Sequence, residues 1–243
     1  MEDYRVALIT GVDIPIPELS ITLHQPTIKE ISMLGEKDFF IAAQLLCVNK
    51  TLYVEDESLL SETTNFQIFM TIVNAEEQRE KKDCVLRLLT ILFPSTKNVI
   101  ILPSGSLMLN NGTENVIIDE NNFEVLQAVF KQVFCLAESG QESFNPGNEA
   151  AKKIADKLMR ARQRVAAQKA AENGNGSIFA QYLSILSLAE GISMREIAEY
   201  TIYMLYDQVE RYMLYTNWDL DIKQRLAGGK PDSSPDNWMK IIH

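Results

Sequence analysis

The chain has 243 residues, is 46% hydrophobic and 23% charged, and carries a net charge of −10. That length and balance suit one large or two small globular domains and exclude wholesale disorder. No stretch approaches the ~18–20 apolar residues of a membrane span, and the acidic surface opposes general nucleic-acid binding.

The opening "RVALI" and the following "IPIPELSITLH" read as strands, with Ile14, Ile16, Leu19, Ile21 and Leu23 nearly alternating. Pro15 and Pro17 would each delete a ladder donor, which places the early part at a sheet edge or outside the ladder. Thr27 and Glu30 form a capping box that starts a helix, and Gly35 is placed to stop it. A second helix is predicted over "KDFFIAAQLLCV", with Phe39 or Phe40, Ala43, Leu46 and Cys47 on one face. "VEDESLLSETT" reads as an acidic connection. Helices are predicted over "NFQIFMTIVNA" and "KKDCVLRLLTILF", the second ended by Pro94. The period then shortens: "NVIIL", "SLMLN" and "NVIID", separated by turn-rich "PSGS" and "NGTE", predict a small antiparallel meander. Asn121 with Glu124 is expected to start a helix whose core stripe is Val125 or Leu126, Val129, Phe130, Val133 and Phe134.

Order weakens in "AESGQESFNPGNE". A different kind of segment follows. Between Ala150 and Ala171 lie Lys152, Lys153, Lys157, Arg160, Arg162, Arg164 and Lys169 against the single anion Asp156, a window of +6 that leaves −16 for the rest. Rich in alanine, lysine, arginine and glutamine, it reads as a helical rod. Its stripe of Ile154, Leu158, Ala161 and Val165 is thin. Three roles stay open for it: a solvated helix, a binder of nucleic-acid phosphates, or a helix docking on an acidic, partly apolar protein surface. The second is opposed by the lack of aromatics for stacking and by the acidic remainder. After "ENGNGS" the chain turns helical again, through "SIFAQYLSILSLAEG", "SMREIAEYTIYMLYDQVERYMLY", "NWDLDIKQRLAGG" and "SPDNWMKII". Ser193 with Glu196 makes another capping box, and Ser234 before Pro235 a further helix start.

The fold expected is α+β: a mixed helix and small antiparallel-sheet domain over residues 1–140, a basic helical connector over 141–176, and a small helical module over 177–243. In that module Ile197, Thr201, Met204, Leu205, Val209 and Tyr212 can face a core, while Tyr203, Tyr206 and Met213 point elsewhere. Met and Tyr suit adaptable contact surfaces. The candidate partner-binding residues are therefore Lys152, Lys153, Lys157, Arg160, Arg162, Arg164, Tyr203, Tyr206 and Met213.

Catalytic motifs are absent from the sequence. Gly229-Lys230 lacks the rest of a phosphate loop, Gly174 and Gly176 lie in a polar linker, and the histidines are His24 and His243 alone. No zinc spacing or nucleophile elbow accompanies them. His24 reads as structural or surface, the adjacent Glu55, Asp56 and Glu57 as a solvated connector, and Asp219 and Asp221 as the polar face of a short helix whose Trp218 packs inward. Cys47, Cys84 and Cys135, odd in number and each among apolar neighbours, read as reduced core cysteines. The N-terminus lacks the pattern of a signal peptide. The expectation is a cytoplasmic non-enzyme with no metal or cofactor.

Three stretches resemble the tail assembly chaperones of long-tailed bacteriophages, especially the longer forms from phages of Gram-positive hosts. They are "ITLHQPTIKEISMLGEKDFF", "DCVLRLLTILFPS" with "NVIIDENNFEVLQAVF", and "GISMREIAEYTIYMLYDQVERY" followed by "DNWMKII". The resemblance implies binding of the tape measure protein and promotion of tail tube polymerisation in the host cytoplasm, with the tape measure and tail tube proteins, or a second copy of the chain, as partners. It supplies no site residues, and the basic connector departs from it. The competing readings are a structural tail or neck component of the virion, and a phage regulator binding nucleic acid through the connector.

Overall fold

The computed structural model describes residues 4–54, 57–112, 115–136, 177–229 and 238–239. Its architecture is α+β: helices pack around one hydrophobic core and two small antiparallel sheets flank it. The predicted basic connector, with Lys152, Lys153, Lys157, Arg160, Arg162 and Arg164, lies outside the described residues, as do Glu55, Asp56 and all of "SPDNWMKII" except Trp238 and Met239.

"RVALI" is not a strand. Arg5–Thr10 forms helix α1, which buries Leu8 and ends at Gly11. Among the described residues no strand pairs with this segment, and a helix satisfies its backbone from within. Gly11 has φ +69°, and a Cβ there would sit 3.2 Å from the Met204 sulfur. Glycine thus permits both the left-handed turn and the close approach. The Gln25 amide nitrogen, buried, donates to the carbonyls of Ala7 and Val12 and pins this corner. Strand β1 (Ile14–Ile16) pairs with β2 (Ile21–Leu23), so Pro15 does enter a ladder, on a two-stranded sheet where one side of each strand is an edge.

Helix α2 (Ile28–Leu34) begins with the predicted capping box and stops at Gly35, where α3 (Glu36–Leu46) starts. α3 buries Phe39, Ala42, Ala43, Leu45 and Leu46, while Phe40 and Cys47 are half-buried. The acidic connection contains a short helix, α4 (Glu57–Glu62). Helices α5 (Asn65–Asn74) and α6 (Arg79–Leu92) follow, α5 opening on a Thr64–Gln67 capping box that sequence reading missed. The meander forms as expected: β3 (Asn98–Ile101), β4 (Leu107–Asn110) and β5 (Asn115–Ile118) pair antiparallel in chain order, with Leu107, Leu109 and Ile118 turned inward. Helix α7 (Phe123–Val133) starts one residue later than the Asn121–Glu124 pair implies. The Asn122 side chain accepts from Asp119 N–H and donates to the Ile117 carbonyl, which fixes the turn that launches the helix.

In the C-terminal part, α8 (Ile178–Glu190) and the single turn α9 (Met194–Ile197) precede α10 (Ile202–Leu226). The expected helix through "SMREIAEYTIYMLY" is broken at 198–201. Thr201 leaves helical geometry, caps α10 through Met204 N–H and makes an antiparallel bridge with Thr27. Conversely, "NWDLDIKQRL" continues α10 without a break.

The N-terminal part and the C-terminal helices are joined at helix starts. The first N–H groups of a helix lack intrahelical acceptors. At α2, Ile28 N–H donates to the Tyr200 carbonyl and Lys29 N–H to that of Ala198, both at 2.9 Å. At α8, the Glu36 carboxylate accepts from Ile178 N–H at 2.8 Å. Aromatic packing follows the same line. Phe179 of α8 stacks on Phe40 and tilts against Phe39, which meets Phe134, just past the end of α7, edge-on.

Gln127 is a buried polar hub: it accepts from Asn65 and donates to the carbonyls of Leu46 and Val48. Gln127→Leu strands those two carbonyls, so we expect a loss of about 2–4 kcal/mol in urea unfolding. His24 bridges Asp13 at 2.9 Å and Glu30 at 3.2 Å. Burial opposes the imidazolium, but the hydrogen bonds and charges of the two carboxylates outweigh it and raise the pKa. Glu30 is likewise opposed by burial, yet hydrogen bonds from Thr27 and His24 hold its pKa below the usual value. Stability from His24 is therefore full below its unfolded pKa of about 6.5 and lost as pH rises through the higher folded value. That from Glu30 is present above about pH 4.5 and lost as pH falls through the lower folded value. Chemical denaturation from pH 5 to 8, below the range where the thiols contribute, should show wild type losing stability toward the alkaline end, and His24→Gln should flatten that slope.

Candidate functional site

The sequence-derived candidates separate by position. Tyr203 is 4% exposed and part of the core, a correction to its placement on an outer side of the helix. The physical reason is that α10 is flanked by α1, α7 and α8 along its first turns, so even residues off the main stripe are covered there. Tyr206 is half-buried and meets Tyr182 of α8 edge-on at 5.5 Å. Burial first, then the nearby Tyr182, Cys135 and Glu36, pushes its hydroxyl well above the ordinary tyrosine range, so it stays protonated. Met213 is 55% exposed.

Met213 marks a change along α10. Ile202, Leu205 and Val209 form a buried stripe at helical spacing, and Val209 is the last buried residue of the helix. The helix nonetheless runs on from Glu210 to Leu226, about 25 Å further. Met213, Thr216 and Leu220 continue the same stripe by steps of three and four, and Met213 and Leu220 are both more than half exposed. α10 therefore carries a core-type apolar row beyond the end of its core. The end of α7 lies beside the point of departure: Asp207 and Glu210 are close enough to Cys135 for their charges to raise its thiol pKa, after the larger effect of burial.

A second row lies around the helix from the first. Arg211, Tyr215, Trp218 and Ile222 recur at steps of four, three and four. Trp218 does not pack into the core. With Tyr215 and Trp238 it forms a surface cluster with ring centroids 5.5–6.4 Å apart. Asp219 and Asp221 make i,i+4 pairs with Lys223 and Arg225 on two different sides of α10, a long helix rather than the short one expected. Sequence reading missed Tyr215, Leu220 and Leu226 because it ended the helix near Tyr215; the unbroken spacing from Ile202 to Leu226 was the available signal.

Other chemistry-bearing groups are tied down. Both ring nitrogens of His24 are engaged by carboxylates. Burial pushes the thiols of Cys47 and Cys135 up to about 12, which keeps them protonated and poorly nucleophilic. A cleft of about 520 Å³ where α5 meets α6 is lined by Val73, Asn74, Ala75, Glu76, Arg79, Lys82 and Asp83, and its mixed charges favour neither anion nor cation. Among the described residues, no group of three or more His, Cys, Asp or Glu side chains is placed to hold a metal ion, and no helix is long and apolar enough to cross a membrane.

Residues 172–243 match the model of a family described as the YomV second domain, which is phage-derived. The matched stretch contains α8, α9 and α10 and covers less than a third of the chain, and it supports a phage protein. No curated protein and no solved structure matches the chain.

The division of α10 is testable by stability. Tyr203→Ala should cost about 3 kcal/mol or more, as for other large buried rings. Met213→Asp and Leu220→Asp should stay within about 0.5 kcal/mol of wild type in the same denaturation assay.

Proposed function

We propose that the chain is a non-enzymatic phage tail assembly chaperone, which binds and solubilises the tape measure protein and promotes polymerisation of the tail tube. One observation carries this reading: the core-type row of α10 runs past its core, leaving Met213 and Leu220 exposed on a helix still long enough to accept another. A long amphipathic polypeptide exposes apolar stripes before assembly and aggregates unless they are covered. An overhanging helix with a row at matching spacing covers such a stripe by helix-on-helix packing. Methionine at this position adapts to different partner surfaces without a fixed shape.

Charge supports the same reading. The net −10 of the chain keeps a complex with a greasy client in solution. Within this proposal the basic segment bearing Lys152, Lys153, Lys157, Arg160, Arg162 and Arg164 engages acidic stretches of the client, while the overhang takes its apolar ones. The phage-derived family matched by the C-terminal part fits this setting.

Co-expression with the tape measure polypeptide of the same phage tests the proposal. Wild type should hold the client in the soluble fraction and co-purify with it. Met213→Asp combined with Leu220→Asp should lower the co-purified client by about tenfold, the ratio expected for losing about 1.4 kcal/mol of contact. A client that is equally soluble with and without the chain would overturn the reading.

A further inference from the structure

The aromatic row of α10 holds an occupant from the chain itself. Arg211 donates to the main-chain carbonyl of Trp238 at 3.1 Å, and the Trp238 ring meets Tyr215 edge-on at 5.5 Å and Trp218 at 6.4 Å. Asp207, 3.7 Å from Arg211, pre-orients the guanidinium. None of the three aromatic side chains belongs to the core or packs against it. We propose that the Tyr215–Trp218 face of α10 is a docking site for a partner segment anchored by one bulky aromatic side chain, and that Trp238 occupies it as an exchangeable stand-in.

Two features support exchange. Among the described residues Trp238 meets the rings of Tyr215 and Trp218 and offers its backbone carbonyl to Arg211, contacts that a peptide with an aromatic residue can reproduce. The row also extends past the stand-in. Tyr215 remains 47% exposed with Trp238 in place, and Leu226, one turn beyond Ile222, is 83% exposed. A longer segment therefore gains contacts that Trp238 does not make. Charge favours an uncharged or mixed partner: from Glu210 to Leu226 the anions Glu210, Asp219 and Asp221 are balanced by Arg211, Lys223 and Arg225, on a chain that is otherwise acidic. Aromatic anchors flanked by arginine are the side chains on which interface energy concentrates.

This goes beyond the chaperone reading, which uses the opposite row, and its test involves no tape measure polypeptide. The probe is a fluorescein-labelled, alanine-based helical peptide with a single tryptophan, alongside a copy with alanine in its place. Binding is read by anisotropy to the full chain as wild type, Trp238→Ala and Trp218→Ala/Trp238→Ala. A tethered occupant competes at high effective concentration, so the tryptophan peptide should bind Trp238→Ala about tenfold or more tighter than wild type. The double variant and the alanine peptide should each lose that gain. Tyr215→Ala/Trp238→Ala, which changes the neighbouring ring, should lose it too. Equal affinity for wild type and Trp238→Ala, or no binding to either, would overturn the proposal. So would binding of a peptide of residues 236–243 but not of the tryptophan host peptide, which would assign the face to the tail of a second copy.

Discussion

Unsatisfied backbone donors at helix starts are the constraint from which this architecture follows. Each helix leaves its first N–H groups without intrahelical acceptors, and they are satisfied by other groups of the chain or by water. Here α2 finds them in the carbonyls of Ala198 and Tyr200, and α8 finds one in the Glu36 carboxylate. Both solutions cross well over a hundred residues of sequence. They place the C-terminal helices on the N-terminal part before any side-chain packing is considered, and Phe179 then enters the ring cluster of Phe39, Phe40 and Phe134. The break between α9 and α10 belongs to the same device, because only a non-helical 198–201 presents carbonyls sideways to α2.

Anchoring of that kind fixes the N-terminal half of α10 and leaves the rest of the helix to its own resources. Val209 is the last buried residue of α10, Tyr212 still touches the core, and beyond it the Asp219–Lys223 and Asp221–Arg225 pairs support the helix locally. Such pairs are solvent-exposed and individually weak. The apolar residues between them are therefore not explained by the fold. Both functional proposals draw on that surplus, one on each side of the same helix.

Much of the fold was legible because its signals were local. The Thr27–Glu30 and Ser193–Glu196 boxes, the three short strands and the stripe through Leu126, Val129, Phe130 and Val133 each depend on residues a few places apart. What failed depended on distant partners. "RVALI" has strand-like composition, but among the described residues no strand pairs with it. "EYTIY" has helix-like periodicity, yet Thr27 and the start of α2 require it to open. Tyr203 looked surplus to one stripe, and only the packing of α1, α7 and α8 around α10 shows why it is buried. Of the candidate site, Met213 was found through residue type. Tyr215 and Leu220 were lost to a misplaced helix end, and the six cations of the basic segment fall outside the described residues.

The placement of the two tryptophans has a spectroscopic corollary. Trp218 and Trp238 are the chain's complete set of indoles, and both sit in the surface cluster, away from the phenylalanine-rich interior. Indole emission thus reports the parting of Trp238 from Trp218 and Tyr215, as well as the melting of α10 itself. Far-ultraviolet dichroism follows the helices as a whole, so an indole transition that precedes the dichroic one would register Trp238 leaving α10 before the body unfolds.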